Sequence, residues 1–388
     1  MLTLLLLIII YFAFISLGLP DSMLGSAWPS MYITLKVPLH YAGFVSMIIY
    51  CGSIISSIFS EKIIRRFSTG TVTMISVFLT AAALFGFSVS GSFVFLCLCA
   101  IPLGLGAGTV DAALNNYVAL HYKSRHMSWL HCFWGIGASS GPIIISYCLS
   151  QRHSWNLAYR TVSIIQFCLV LLLIISLPLW KKKMSRESER PEKSETIKYS
   201  KLLKIAGVKE VLSAFFCYCA IEFTTGLWGA SFLVMERGIP PETAAKWVSL
   251  YYIGITFGRF ISGFITMKLT NRRMIRLGQV IIGCGIIIMI LPFANTLLPG
   301  FFMIGLGCAP IFPSLIHETP VNFGREYSQA IMGLQVGSAY IGSTIMPPVF
   351  GWIASFLSFR MFPVFIGFVL IIMIILIEAL NRKTNNRT

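Results

Sequence analysis

Residues 93–121 read FVFLCLCAIPLGLGAGTVDAALNNYVALH, an apolar run long enough to cross a bilayer and interrupted by a single acidic side chain, Asp111. A hydrocarbon core about 30 Å thick needs roughly 20 apolar residues of helix. Working outward, the rest of the chain follows the same pattern. Of 388 residues, 56% are hydrophobic and 11% charged, with a mean hydropathy of +0.80, whereas soluble chains are about 25% charged. Apolar runs fall at 2–33, 38–62, 71–89, 93–121, 127–150, 157–180, 207–235, 243–267, 273–292, 295–318, 325–355 and 360–380. They predict an all-α integral membrane protein of twelve transmembrane helices. A soluble enzyme is excluded, and no room is left for a catalytic domain outside the membrane.

The chain carries 30 Lys and Arg against 14 Asp and Glu, a formal charge of +16. Such an excess can mark nucleic-acid binding, but here the basic residues cluster between apolar runs. Lys62, Arg65 and Arg66 follow run 2, Lys123 and Arg125 follow run 4, and a basic stretch from Lys181 to Lys204 follows run 6. Lys268, Arg272, Arg273 and Arg276 follow run 8, Arg325 follows run 10, and Arg382, Lys383 and Arg387 close the chain. The opposite loops hold only Lys36, Arg152, Arg160, Arg237, Lys246 and Arg360. This is the positive-inside bias. It predicts a multi-pass protein of the cell (plasma or inner) membrane with both termini cytoplasmic, partnered by lipid and not by nucleic acid. The first run has no Lys or Arg before it and reads as an uncleaved span. The 10 cysteines lie almost wholly within apolar runs and lack metal-ligand spacing, so no metal and no cofactor are expected.

The hydrophilic segment 181–206 divides the chain into an N-terminal half, 1–180, and a C-terminal half, 207–388, of six runs each. The halves look like repeats. Gly52-Ser-Ile-Ile-Ser56 matches Gly258-Arg-Phe-Ile-Ser262, and Leu103-Gly-Leu-Gly106 matches Ile304-Gly-Leu-Gly307. Gly137…Pro142 matches Gly342…Pro347, and Asp21-x-x-x-Gly25 matches Glu222-x-x-x-Gly226. Four matches in order at near-constant separation indicate a duplicated, pseudo-symmetric six-helix unit, as is common in transporters.

Acids are scarce enough to place one by one. Glu61, Glu187, Glu189, Glu192, Glu195, Glu210, Glu236, Glu242, Glu318, Glu326 and Glu378 lie in loops or near run ends, where water is expected to hydrate them. Asp21, Asp111 and Glu222 remain, inside runs 1, 4 and 7 with no Lys or Arg in those runs to neutralise them. A carboxylate at that depth costs several kcal/mol unless it meets water, a partner or a proton. All three are therefore candidates for proton coupling.

Helical spacing extends each acid into a face. Asn115 is i+4 from Asp111, beside Asn116, and Gly104 and Gly108 on the same stripe can admit a helix or a ligand. Trp28 lies i+7 from Asp21; Thr225 and Trp228 lie i+3 and i+6 from Glu222. Trp134 in run 5 and Gln335 in run 11 complete the candidate substrate-binding set. Carboxylates and amides pair with hydroxyls, and an indole packs on a C–H face, a combination suited to a sugar-like solute. Trp28 and Trp228 fit a membrane-interface belt equally well, and Trp155, Trp180 and Trp247 fit it better. The turn Ser57-x-x-x-Glu61-Lys62-x-x-Arg65-Arg66 is a candidate gate, because its charges can pair with facing helix ends.

This pattern resembles the major facilitator superfamily, whose turn after spans 2 and 8 reads Gly-x-x-x-Asp-Arg-x-Gly-Arg-Arg. Glu61, Lys62, Arg65 and Arg66 keep its acid–base positions, while Ser57 and Ile64 replace its glycines. The second copy keeps Gly263 and Lys268 but has Met267 at the acid position. Three segments are similar to the fucose–proton symporter-like branch: Asp21-x-x-x-Gly25…Trp28-Pro29, Leu130-His-x-Phe-Trp-Gly135-Ile-Gly137…Gly141-Pro142, and Ala309-Pro310-Ile-Phe-Pro313. The resemblance implies a central cavity lined by spans 1, 4, 7 and 10, with the carboxylates of spans 1 and 4 coupling proton movement to sugar binding.

The expectation is a monomeric secondary transporter that moves a small polar solute, a sugar first of all, by proton symport through alternating access. Asp21 is expected to be the principal proton carrier, Asp111 with Asn115 to bind solute hydroxyls, and Glu222 to complete the cavity. Na+ is the alternative coupling ion, and proton-coupled efflux of amphipathic or cationic compounds is the alternative function.

Overall fold

Backbone passing through hydrocarbon must satisfy its own peptide groups, and a helix does so segment by segment. The computed structural model describes residues 2–122, 124–184, 199–265 and 269–385. In chain order its helices are α1 (Leu2–Leu35), α2 (Ala42–Phe67), α3 (Thr69–Val89), α4 (Phe93–His121), α5 (Ser124–Arg152) and α6 (Trp155–Met184). The short α7 (Tyr199–Leu202) precedes α8 (Val208–Arg237), α9 (Pro241–Ile265) and α10 (Asn271–Ile290). Then come α11 (Leu297–Cys308), α12 (Ile311–Phe323), α13 (Arg325–Phe356) and α14 (Met361–Asn385). Among the described residues, 11 helical stretches are long and apolar enough to cross a membrane, α11 and α12 together forming one of them. The twelfth is α13, which has 32 residues. Its polarity comes from Gln335, Ser338, Ser343 and Thr344, and it packs along α8. The chain thus adopts the all-α membrane fold of twelve spans.

Two spans differ from the sequence reading, each for a local reason. The expected turn 61–66 is helical: α2 continues through Phe67, and the link to α3 is Ser68 alone, at φ 69°. Basic side chains stabilise a helix C-terminus, which explains the extension. The tenth span is two helices meeting at Ala309-Pro310, because Pro310 and Pro313 each remove a backbone donor. Trp155 and Trp180 are not interface residues but buried packing residues, donating to the Thr34 and Ser176 hydroxyls.

The chain divides into two compact units. One comprises Met1–Pro191 with Gly238–Ser249, the other Glu192–Arg237 with Leu250–Thr388. The expected hydrophilic linker falls largely on 185–198, outside the described residues. Within the first unit α1 packs on α5 and α6, α2 on α4, and α3 on α4 and α6. Within the second, α8 packs on α13 and α14, and α10 on α11 and α14.

The repeated glycines are where these pairs touch. A Cβ at Gly104 would collide with the carbonyl oxygen of Ile49 on α2, and one at Gly305 with that of Tyr251 on α9. Gly106 meets the Ser76 carbonyl of α3, as Gly307 meets the Gly278 carbonyl of α10. Gly137 meets the Ile15 carbonyl of α1, as Gly342 meets the Phe216 carbonyl of α8. Without a hydrophobic drive between helices in lipid, such close backbone contact is the main source of association. The sequence repeat is therefore a repeat of helix–helix contacts.

Gly104→Ala is expected to destabilise the protein by about 1–3 kcal/mol, because backbone must move. Gly333→Ala, where a Cβ meets open space inside α13, is the control and should not lower Tm. Thermal unfolding in detergent reads both; an unchanged Tm for Gly104→Ala contradicts the contact.

Candidate functional site

The carboxylate of Asp21 is met from α5. Gly18, Gly137 and Gly141 bring α1 and α5 together, Gly18 lying against the carbonyl of Trp134. That approach puts the Trp134 indole in reach, and its Nε1–H donates to Asp21 Oδ2 at 2.8 Å. Two of the sequence candidates are thereby joined.

Asp111 is held on its own helix. Asn115 donates from Nδ2 to Asp111 Oδ1 at 2.8 Å, and Asn115 Oδ1 is buried without a hydrogen-bond partner. Asn116 is exposed on the adjoining face of α4. Gly104 and Gly108 on the Asp111 stripe turn out to admit a helix: Ser53 and Ser57 of α2 donate to their carbonyl oxygens at 3.1 and 3.0 Å.

Glu222 departs from expectation. It is buried in α8, and Arg259 of α9 reaches it with Nη2 at 3.4 Å from Oε1. The Tyr251 hydroxyl donates to its backbone carbonyl at 2.9 Å. Arg259 belongs to the next run in the sequence, not to that of Glu222. Packing α9 beside α8 brings the guanidinium across, so Glu222 is one half of an ion pair.

Four other candidates already have their polar atoms engaged by protein. Trp28 is fully buried and donates to the Leu39 carbonyl at 2.5 Å, closing the chain back on α1. Its counterpart Trp228 is also fully buried, donating to the Pro347 carbonyl at 2.7 Å and packing on Phe350 and Phe359. Neither is a belt residue. Thr225 donates to Ile221 O of its own helix at 2.7 Å. Gln335 bonds Thr319 of α12 with both ends of its amide, at 2.9 and 3.0 Å.

The charged end of α2 is described in part. Lys62 lies over the Phe59 ring at 5.8 Å and Arg66 over Phe67 at 5.5 Å, cation–π contacts on their own helix. The side chains of Glu61 and Arg65, and residues Met267 and Lys268 of the second copy, lie outside the described residues.

Acids assigned to water are paired as well. Glu318 is buried and meets Arg272 of α10, which also donates to Asn322 and Thr384. Glu378 takes both arms of Arg276 at 2.7 Å, Glu236 meets Arg360, and Glu210 meets Lys383. Arg276, Arg360 and Lys383 stay about half or more exposed, so water reaches those three pairs, and only the Glu318 pair is mostly buried.

Arg259→Leu should cost about 3–5 kcal/mol, because Glu222 is left charged and buried. The double substitution Glu222→Leu with Arg259→Leu should recover most of it. Unfolding midpoints of the two singles and the double decide the matter: additive losses would remove the pairing.

The profile of the Major Facilitator Superfamily matches residues 10–247 and, a second time, 211–387. The chain is 21% identical over 354 residues to the glucose/mannose transporter GlcP of Bacillus subtilis, covering 88% of this chain and 86% of that one. It is 20% identical over 280 residues to Bypass of stop codon protein 6 of Saccharomyces cerevisiae, covering 66% of this chain and 56% of that protein. Among solved structures, a peptide transporter variant bound to alafosfalin aligns over 98% of this chain and 95% of its own, with TM-score 0.74 and 15% identity. A variant of the nucleoside transporter NupG aligns over 97% and 98%, also with TM-score 0.74 and 15% identity. These structures share the fold. With two profile matches that together span nearly the whole sequence and a duplicated six-helix packing beneath them, the chain belongs to the Major Facilitator Superfamily of membrane transporters.

Proposed function

We propose that the protein is a secondary transporter that moves a sugar-like solute across the membrane in symport with protons, by alternating access, from an orientation with both termini in the cytoplasm. The observation that carries the reading is Asp111, a carboxylate within α4 whose partner is the neutral amide of Asn115. Among the described residues no cation is paired with it. An acid held this way can take up and release a proton without breaking an ion pair. Asp111, Asn115 and the exposed Asn116 offer a sugar hydroxyl both donors and acceptors. Asp21 is the principal proton carrier, with Trp134 reporting its charge through one hydrogen bond. The glucose/mannose transporter named above supports hexoses as the first solutes to try. Glu222 serves differently from the two aspartates: its ion pair with Arg259 holds a fixed polar element in the second unit. Lys62 and Arg66, with Glu61 and Arg65, retain the role of a gate at the end of α2.

Purified protein in proteoliposomes tests this. A pH gradient should drive accumulation of glucose or mannose, while a sodium gradient should not. Asp21→Asn should abolish accumulation but leave equilibrium exchange of labelled solute, and Asp111→Asn should impair both. Accumulation surviving in Asp21→Asn would sink the coupling assignment. Thermal stabilisation by lipophilic cations and not by hexoses would favour efflux instead.

A further inference from the structure

Pro20 stands in α1 immediately before Asp21. Its nitrogen carries no hydrogen, so the carbonyl oxygen of Ser16, four residues earlier, receives nothing from its own helix. In hydrocarbon an oxygen left so is costly, and a neighbouring helix commonly supplies the donor. Here the donor is Gln166 of α6, whose Nε2 reaches Ser16 O at 2.8 Å in the buried interior. The amide is itself oriented. Thr80 of α3 donates to Gln166 Oε1 at 2.8 Å, and Ser163, one turn away on α6, donates to Ala81 O of α3 at 2.8 Å. A small cavity adjoins the same point, lined by Ser16, Pro20, Val77, Thr80, Val110 and Gln166. The void is no larger than a single water, and Ser16, Leu17 and Gln166 around it are buried.

We propose that Gln166 is a positioning residue for coupling: by engaging the Ser16 carbonyl that Pro20 leaves open, it fixes the turn of α1 that presents Asp21 to Trp134. The inference rests on the reading of Asp21 as proton carrier. Without Gln166, the Ser16 carbonyl must find water in the cavity or another backbone arrangement, and residues 17–21 move with it. The carboxylate then leaves its place 2.8 Å from the indole.

The test is a rescue in the full-length protein in proteoliposomes. Gln166→Leu should lower pH-driven hexose accumulation about tenfold, the equivalent of one buried hydrogen bond. Equilibrium exchange and its KM should stay near wild type. Adding Pro20→Ala restores an N–H for Ser16 O within α1, and the double variant should regain accumulation. A purely structural role would lower exchange and accumulation together. Wild-type accumulation in Gln166→Leu, parallel loss of both activities, or failure of Pro20→Ala to rescue overturns the proposal. Should Gln166→Leu alone not reach the membrane, Gln166→Asn, whose shorter amide does not reach Ser16 O, takes its place: accumulation should fall with exchange retained, and wild-type accumulation or parallel loss of both overturns the proposal. Asp21→Asn measured alongside separates the two claims. If it still accumulates solute, the carrier assignment fails; if it is uncoupled while Gln166→Leu behaves as wild type, only the positioning role fails.

Discussion

No water reaches a lipid-facing peptide group in the middle of a bilayer, and the backbone of each span must find its hydrogen-bond partners inside the protein. This one constraint organises the structure. It makes every span a helix, and it converts each proline within a span into a demand on a neighbour. It also explains the polar side chains that bridge helices by their backbones: Ser53 and Ser57 to α4, Gln166 to α1, Trp228 to the Pro347 carbonyl and Ser338 of α13 to the Leu212 carbonyl of α8. Glycines make such bridges possible, since a hydroxyl as short as that of serine reaches another helix only where backbones nearly touch.

The class of the fold was legible in the sequence because hydropathy is a sum over many residues and survives local errors. The duplication was legible for a narrower reason. Gly104 and Gly305, or Gly137 and Gly342, sit where a side chain of any size collides with backbone, so both copies keep the same residue. The partner of Glu222 was not legible, because helical spacing relates residues on one helix and says nothing of which faces meet. Arg259 is 37 positions away in sequence, on a different helix, and only packing brings it to 3.4 Å. The same limit explains Trp28 and Trp228, whose indoles end on backbone carbonyls that no pattern of side chains announces. A mid-span polar residue is nonetheless a signal in itself. Gln166 and Arg259 both stand out in apolar runs, and asking which atom each must satisfy would have flagged them.

The two units repeat in backbone contact and have parted in charge. Asp21 and Glu222 occupy matching places on α1 and α8, yet the first is met by an indole from α5 and the second by a guanidinium from α9. Asp111 has no acidic counterpart: the tenth span carries Phe312 at the matching register, packed on Phe215 and Tyr218. What was conserved between the copies is the set of positions where a change would move a helix. What differs is the set where a change alters only which groups lie between helices. In the first unit Asp21 and Asp111 receive hydrogen bonds from neutral groups, an indole and an amide.

A buried ion pair adds little to stability, since desolvating two charges offsets most of their attraction. Its value lies in the penalty for alternatives: with either partner removed, or the two helices slipped past each other, a lone charge remains in hydrocarbon. Sliding α8 against α9 would therefore separate Glu222 from Arg259 at that penalty. Trp134 donates a neutral hydrogen bond to Asp21, and Asn115 donates one to Asp111. An acid held by a neutral donor can gain or lose a proton without an ion pair having to break. The two units therefore carry their buried acids differently: an ion pair in the second, and hydrogen bonds from an indole and an amide in the first, where the turn before Asp21 receives from α6 the hydrogen bond that Pro20 cannot give.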